Sequence, residues 1–259
     1  MHVVVFTRST PDTAAKVEVA ANGKVAWGDT PTVVNPWDEY ALEEALLHAK
    51  QYGGKTTVIA IGSPMHQDAL KHSLAMGFDE AIRIEDAALD ETDGLVYATV
   101  AAAAVKKLGS VDAVFLGRES IDVNTDQHSY MLARKLGWTM LSYVAKILAI
   151  DYAAKTIQVE KMLEQGKQVV TAQLPAVISV LKGINEPRYP SFIGIRKAGK
   201  ATIPVWNLAD LGVNLPAKTV QISSFNNLPV RDVQVELLQG EPAEQAAALV
   251  ERLLKEKVL

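Results

Sequence analysis

The sequence predicts an α/β protein: a doubly wound, mostly parallel sheet, then an added antiparallel meander, an extended arm and a terminal helix. Three observations predict it. Through the first half, short β-branched runs alternate with helical stretches of roughly 10–16 residues, the rhythm that parallel strands with right-handed crossovers impose. After Gly137 that rhythm gives way to four strand-like runs with no room for helices between them. From Gly183 to about Arg231 proline, glycine and asparagine accumulate and periodicity is lost, until a last helical pattern begins at Glu241.

The elements follow in order. VVVFT, from Val3 to Thr7, reads as a buried first strand. Asn35-Pro36 opens a helix with a capping residue and a proline at the first helical position. Leu42, Ala45, Leu46 and Ala49 recur at helical spacing, and Gly53-Gly54 stops the run. KTTVIAI is the next strand, Pro64 to Met76 the next helix, EAIRIE a short strand, and Asp93 to Leu108 an alanine-rich helix ended by Gly109. DAVFLG is a further strand, followed by a polar loop and a helix from Asp126 to Leu136. YVAKILAID, KTIQVEKML, KQVVTAQL and AVISVLKG form the expected meander. In the final helix, Glu241 to Val258, an apolar face of Ala247, Leu249, Val250, Leu253 and Leu254 needs something to pack against. The expected division is a core at 1–183, a loop and arm at 184–235, and a terminal helix at 236–259.

Composition narrows the function classes. A chain of 259 residues can bury a sizeable core. Its formal charge of −4 offers no excess basic field for nucleic acid. With no cysteine it has neither disulfides nor thiolate metal sites, which suits a reducing compartment. No apolar run approaches the ~18 residues of a membrane span, and MHVVVFTRST lacks the pattern of a secretory signal. The expectation is a cytoplasmic protein without membrane insertion.

The strongest local site is FLGRESIDVNTDQHSYMLARKLGW, Phe115 to Trp138: a buried strand, a polar loop and a helix start. In an open parallel sheet, ligands sit beyond the carboxyl ends of the strands. Free N–H groups at the helix start favour an anion there. Ser120, Asn124, Thr125 and Gln127 add neutral donors and Arg118 a charge. An ordinary strand–helix loop capped by Thr125 or Asp126 fits the same residues, since no glycine-rich phosphate motif is present. Phe6-Thr7-Arg8, Asn35-Pro36-Trp37-Asp38 and Gly62-Ser63-Pro64 would reach the same edge of the sheet. The histidines show no metal-ligand spacing; His48 and His72 read as surface or edge residues, and His128 stands either at the anion site or in solvent. The carboxylates of DEYALEE read as a solvated face, and no catalytic constellation stands out.

One stretch breaks every rule for a strand or helix: LKGINEPRYPSFIGIRKAG, Leu181 to Gly199. Pro187 and Pro190 bracket Arg188 and Tyr189, and Phe192-Ile193-Gly194-Ile195 precedes a cluster of positive charge. With NEPRY, Phe192 and Lys197-Ala198 in this segment, the sequence resembles the β subunit of electron-transfer flavoproteins. STPDT, NPWDEYALEEAL, SLAMGFDEAIRI (with Ser73-Leu74 where the family has Ala-Leu), GRESID and WNLADLGV extend the resemblance over essentially the whole chain. It implies a Rossmann-like, adenine-nucleotide-binding core in a heterodimer whose α subunit carries the redox-active FAD, with the arm and terminal helix wrapping that partner. It implies an AMP in β, contacted by Phe6, Asn35, Pro36, Trp37, Asp38, Gly62 and the loop Gly117, Arg118, Glu119, Ser120, Ile121, Asp122, Val123, Asn124, Thr125, Asp126, Gln127 and His128. The opening stretch becomes a recognition loop for an electron-donating dehydrogenase, such as an acyl-CoA dehydrogenase. Phe192 is then the anchor, with Tyr189 and Ile195 near it and Arg188, Arg196, Lys197 and Lys200 supplying steering toward an acidic partner surface. Electrons would leave to the quinone oxidoreductase of these carriers at the membrane.

The pattern departs in the helix start, where Ser129-Tyr130 replaces the family's Gly-Pro pair. Some members hold a second FAD in β, use NADH and bifurcate electrons, and that alternative stays open. So does a stand-alone nucleotide-binding module, which shares the core but leaves the arm without a purpose.

Overall fold

The computed structural model describes residues 1–89, 93–229 and 235–258. In the first strand, β1 (His2–Phe6), Val3 and Val5 enter one apolar core while Val4 and Phe6 enter another. A strand buried on both faces belongs in the middle of its sheet. Two short ribbons follow, β2 (Ser9–Pro11) pairing with β5 (Thr32–Val34) and β3 (Glu18–Val19) with β4 (Val25–Ala26). Helix α1 (Pro36–Tyr52) begins on Asn35-Pro36 and ends at Gly53, as its sequence predicts. The alternation continues with β6 (Lys55–Ile61), a 3-10 turn, α2 (Gln67–Met76), β7 (Glu80–Ile84), α3 (Gly94–Leu108), β8 (Ala113–Gly117) and α4 (Gln127–Leu136). Then come β9 (Thr139–Asp151), β10 (Thr156–Leu163), β11 (Gly166–Gln173) and β12 (Ala176–Val180). After them lie α5 (Phe192–Lys200), β13 (Val205–Trp206), α6 (Leu208–Leu211) and α7 (Pro242–Lys255).

One sheet takes nine strands in the order β11-β10-β9-β12-β8-β1-β6-β7-β13. It is parallel except where β10 pairs with β9 and β11. The four runs expected as one meander therefore divide. AVISV is apolar and buried throughout, so β12 inserts between β9 and β8, parallel to both, where both of its faces are covered. The more polar β10 and β11 stay at the edge. Helices α1 and α2 pack one face through Ala41, Leu42, Ala45, Leu46, Ala69 and Leu70. On the other face, α3 and α4 contribute Val100, Ala101, Ala104, Val105, Leu132 and Ala133. Each buried leucine or valine among them is worth about 1.5–3 kcal/mol.

The outer face of α1 corrects an expectation. Asp38, Glu43 and Glu44, which read as part of a solvated face, are only 6%, 4% and 8% exposed, and His48 is buried beside them. The chain after β12 covers the two glutamates: Asn185 donates to Glu44 and the Tyr40 carbonyl, and Arg188 pairs with Glu43, whereas Asp38 is closed in by the end of β8, where it accepts the Gly117 N–H. Tyr152 packs edge-on to His48. A sequence shows which residues share a helix face, not what distant segment lies on it.

The stretch after Gly183, which reads as one long loop, holds α5, β13 and α6. Ser191 caps α5 by accepting the Gly194 N–H at 3.0 Å. The helix lies so close to α2 that a Cβ on Gly194 would fall 2.3 Å from the Ala75 carbonyl oxygen. β13 adds in parallel to β7, and a reciprocal Asn207–Asp210 cap starts α6. Beyond it, the arm is fastened at two points. Buried Asp93 caps α3 through the Leu95 and Val96 N–H groups, and it also accepts from Thr219 N at 2.6 Å and Val220 N at 3.1 Å. Asn227 pairs through its amide with both backbone groups of Val19, at 2.7 and 3.3 Å. The part of the expected arm at 230–234 lies outside the described residues. Helix α7 buries none of its residues. Among the described residues no helix is long and apolar enough to cross a membrane.

Burial alone would raise the Asp93 carboxyl, but donors from Thr219, Val96 and Leu95 outweigh it and hold it at about 2. An aspartate held below its ordinary value of about 3.9 contributes stability that is complete above that value and is lost as pH falls through about 2. Asp93→Ala should cost about 2–3 kcal/mol in denaturant unfolding. The same variant should speed amide exchange at 215–229, and its deficit should shrink below about pH 4. Unchanged exchange in the arm would show that Asp93 serves α3 alone.

Candidate functional site

A recess opens beyond the carboxyl ends of β1 and β8, adjacent parallel strands whose following loops must converge. Phe6, Thr7 and Arg8 come from the end of β1, and Asn35 and Asp38 from the start of α1. Leu116, Gly117, Arg118, Glu119 and Ser120 come from β8 and its loop. Thr125, Asp126, His128 and Ser129 come from the start of α4, and Tyr97 from α3.

The loop's shape has local causes. A Cβ at position 117 would meet Asp38 Oδ1 and the Trp37 carbonyl carbon at 2.5 Å, so only glycine lets α1 approach the end of β8. Asn35 makes no side-chain cap. It ties the loop down instead, donating to the Glu119 carbonyl at 2.9 Å and accepting the Ile121 N–H at 3.3 Å. Asn124 adopts a left-handed conformation (φ 52°), and its N–H closes onto the Ser120 carbonyl at 2.8 Å. Arg8 reaches Asp122 at 2.9 Å. The Arg118 guanidinium lies 5.3 Å from the ring centres of both Trp37 and Tyr143, which hold it by their faces, and its Nη2 lies 3.5 Å from Glu119 Oε2.

Electrostatics divide the recess. Burial pushes the Asp38 carboxyl up to about 7, against hydrogen bonds from Asn35 and the Gly117 N–H and the charge of Arg8. Burial, then the charge of Arg8, pushes the His128 imidazole down to about 4, against the pull of Asp122 and Asp126. His128 is therefore neutral near pH 7, and its ring meets Tyr97 edge-on at 4.6 Å. Two buried atoms on the lining, Arg118 Nε and His128 Nε2, have no hydrogen-bond partner. A neutral aromatic end beside two guanidinium groups suits a ligand with a planar ring and an anionic group. Among the described residues there is no cluster of three metal-ligating side chains.

Of the residues singled out from the sequence, Phe6, Asn35, Asp38, Gly117, Arg118, Glu119, Ser120, Thr125, Asp126 and His128 meet at this recess. Pro36, Trp37, Gly62, Asn124 and Gln127 do not line it. Trp37 acts behind Arg118, and Gly62 turns the chain after β6 at φ 117°. Ile121, Asp122 and Val123 face a neighbouring apolar pocket, with Trp27, Met65 and Phe225. Tyr97, Leu116 and Ser129 were missed. Leu116 stands one residue before the end of β8 and so beside the loop that the sequence marks, whereas nothing in an alanine-rich helix marks Tyr97.

The second group lies elsewhere on the surface. Tyr189 is 97% and Phe192 93% exposed, with Ile195, Arg196, Lys197 and Lys200 exposed around them. Arg188, expected among the steering charges, instead commits its guanidinium to Glu43.

Comparison with known proteins bears on both regions. Residues 22–211 match the family profile described as the electron transfer flavoprotein domain. The chain is 37% identical to Protein FixA of Azorhizobium caulinodans over 82% of this chain and 77% of that protein. It is 34% identical to the electron transfer flavoprotein subunit beta of Clostridium acetobutylicum over 99% of each. It is 31% identical, again over 99% of each, to the caffeyl-CoA reductase-Etf complex subunit CarD of Acetobacterium woodii.

The raised Asp38 carboxyl has a measurable consequence. Between its unfolded value of about 3.9 and its folded value the native state binds the extra proton, so this group's contribution to stability falls as pH rises toward about 7. Asp38→Asn should remove that decline. Urea unfolding at a series of pH values should give a variant-minus-wild-type difference that grows in the variant's favour from about pH 4 to about pH 7 and then levels. A difference independent of pH would mean that Asp38 is ionised throughout.

Proposed function

This chain belongs to the electron transfer flavoprotein family, among its β-subunit and FixA members, and we propose that it is the β half of a heterodimeric electron carrier. Such β subunits work with an α subunit and carry electrons rather than catalyse a reaction of their own. In this reading the α subunit holds the redox-active FAD. The chain described here completes the carrier, binds AMP in the strand-end recess and meets electron donors through its exposed loop. Those donors are flavin-dependent dehydrogenases such as acyl-CoA dehydrogenases, and a membrane quinone oxidoreductase takes the electrons on.

The observation that carries the reading is the unmet apolar surface at the C-terminal end. Leu228, Val235, Leu237, Leu249, Val250, Leu254 and Val258 are all exposed, and a helix that buries nothing is marginal by itself. A partner laid along this surface accounts for it, whereas a stand-alone module does not.

The recess supports the nucleotide. Arg8 and Arg118 offer charge to a phosphate, Ser120, Thr125 and Ser129 offer hydroxyls, and Phe6, Tyr97 and the neutral His128 offer apolar and aromatic surface to a base. Bound AMP would supply no chemistry; the flavin on α supplies the electron transfer. A second reading, with FAD in β and electron bifurcation with NADH, draws on the apolar pocket of Trp27, Met65, Val123 and Phe225, which shares Arg8 with the recess.

Denaturing the native heterodimer and identifying what it releases separates the readings. One FAD and one adenylate per heterodimer supports the first, two FAD the second, and a folded monomer without nucleotide would sink both. For the loop, Phe192→Ala should raise the KM for an acyl-CoA dehydrogenase about tenfold or more, leaving flavin content and unfolding midpoint unchanged. Loss of flavin instead would make Phe192 part of the assembly.

A further inference from the structure

Two adjacent buried carboxylates on α1 are both engaged by the segment that leads to the exposed tip. Arg188 Nε donates to Glu43 Oε2 at 2.8 Å and Nη2 to Oε1 at 2.7 Å, and the Arg188 backbone N–H adds a third bond at 3.1 Å. Asn185 Nδ2 donates to Glu44 Oε2 at 2.8 Å and to the Tyr40 carbonyl at 3.0 Å. His48 Nε2 lies 3.4 Å from the other Glu44 oxygen. The residue after Arg188 is Tyr189, almost fully exposed, and Phe192 follows three positions later. On the far side, Gly194 seats α5 against the Ala75 carbonyl of α2. The segment is thus gripped at 185–188 and again at 194, with an apolar tip between.

Net stability is a poor explanation for this grip. Apolar side chains of similar size often serve a helix surface as well as a buried ion pair does, while a forked guanidinium–carboxylate pair admits one geometry. A loop already held in that geometry loses less freedom when a partner binds.

We propose that Glu43 and Glu44 are positioning residues that set, through Arg188 and Asn185, the height and direction at which the tip at 189–193 is offered to the electron-donating protein. The proposal rests on the reading of that tip as a docking element. Arg188 is then a foot of the loop, not one of its steering charges; Arg196, Lys197 and Lys200 keep that part.

The test uses the complete heterodimer with an acyl-CoA dehydrogenase as donor, and hydrogen exchange of peptides covering 184–191. Glu43→Gln keeps the shape and removes the charge. The double variant E43Q/R188Q, which leaves no unpaired buried ion, stands in for it if the single variant does not fold. Exchange at 184–191 should rise about tenfold or more, and the dehydrogenase KM about three- to tenfold, with kcat and flavin content unchanged. Adding Phe192→Ala should abolish the KM effect of E43Q, because a positioning residue acts only through the tip. Wild-type exchange and KM, or a fall in kcat and unfolding midpoint with KM unmoved, would overturn the proposal. If Phe192→Ala alone leaves KM unchanged, the docking reading fails, and the clamp's purpose fails with it. If Phe192→Ala raises KM and E43Q does not, only the present inference fails.

Discussion

The first turn of α1 meets the end of β8 at a distance that only Gly117 permits, with Asp38 and Trp37 standing where any side chain would go. That contact brings Asn35 within reach of Glu119 and Ile121, so the loop after β8 is tied to the helix before the recess has any other wall. It also fixes the line of α1 across the sheet, where Ala41, Leu42, Ala45 and Leu46 meet the core. Two turns on, the same helix presents Glu43 and Glu44 to the segment that carries Tyr189 and Phe192. One helix thus holds both the recess and the exposed tip, each through a polar contact that its apolar face makes possible.

The buried carboxylates show how donors, not burial alone, decide charge. Asp38 and Asp93 are both nearly inaccessible. Asp38 is opposed by few donors, and burial pushes it up to about 7. Asp93 sits among N–H groups from a helix start and from the arm, which hold it at about 2 despite burial. The first is a group that can lose its charge near neutral pH without moving. The second stays ionised and joins two segments far apart in sequence.

The arm has a divided character. Its first part belongs to the core: β13 extends the sheet, and Lys107 lies over Trp206 and donates to the Asp210 carbonyl. Its later part is fastened at Thr219 and Asn227, and from Leu228 onward the described residues leave apolar side chains in water. In the reading of the chain as one half of a heterodimer, that surface is where the partner lies.

Much of the layout was legible in the amino acids alone, because it follows from local rules. The continuous apolar run in HVVVF, the cap and proline at Asn35-Pro36 and the glycines after the helices each depend on neighbours in the chain, and each predicted element lies close to its place. The strand-end recess was legible too, since parallel strands bring Phe6, Asn35 and the loop after Gly117 to one edge whatever their side chains do. The tertiary structure alone decided the rest. It placed β12 inside the parallel sheet, buried Glu43, Glu44 and His48 on a face that reads as solvated, closed residues 192–200 into a helix against α2, and brought Tyr97 to the recess. Each of these depends on contacts between residues far apart in sequence, which spacing along the chain does not encode.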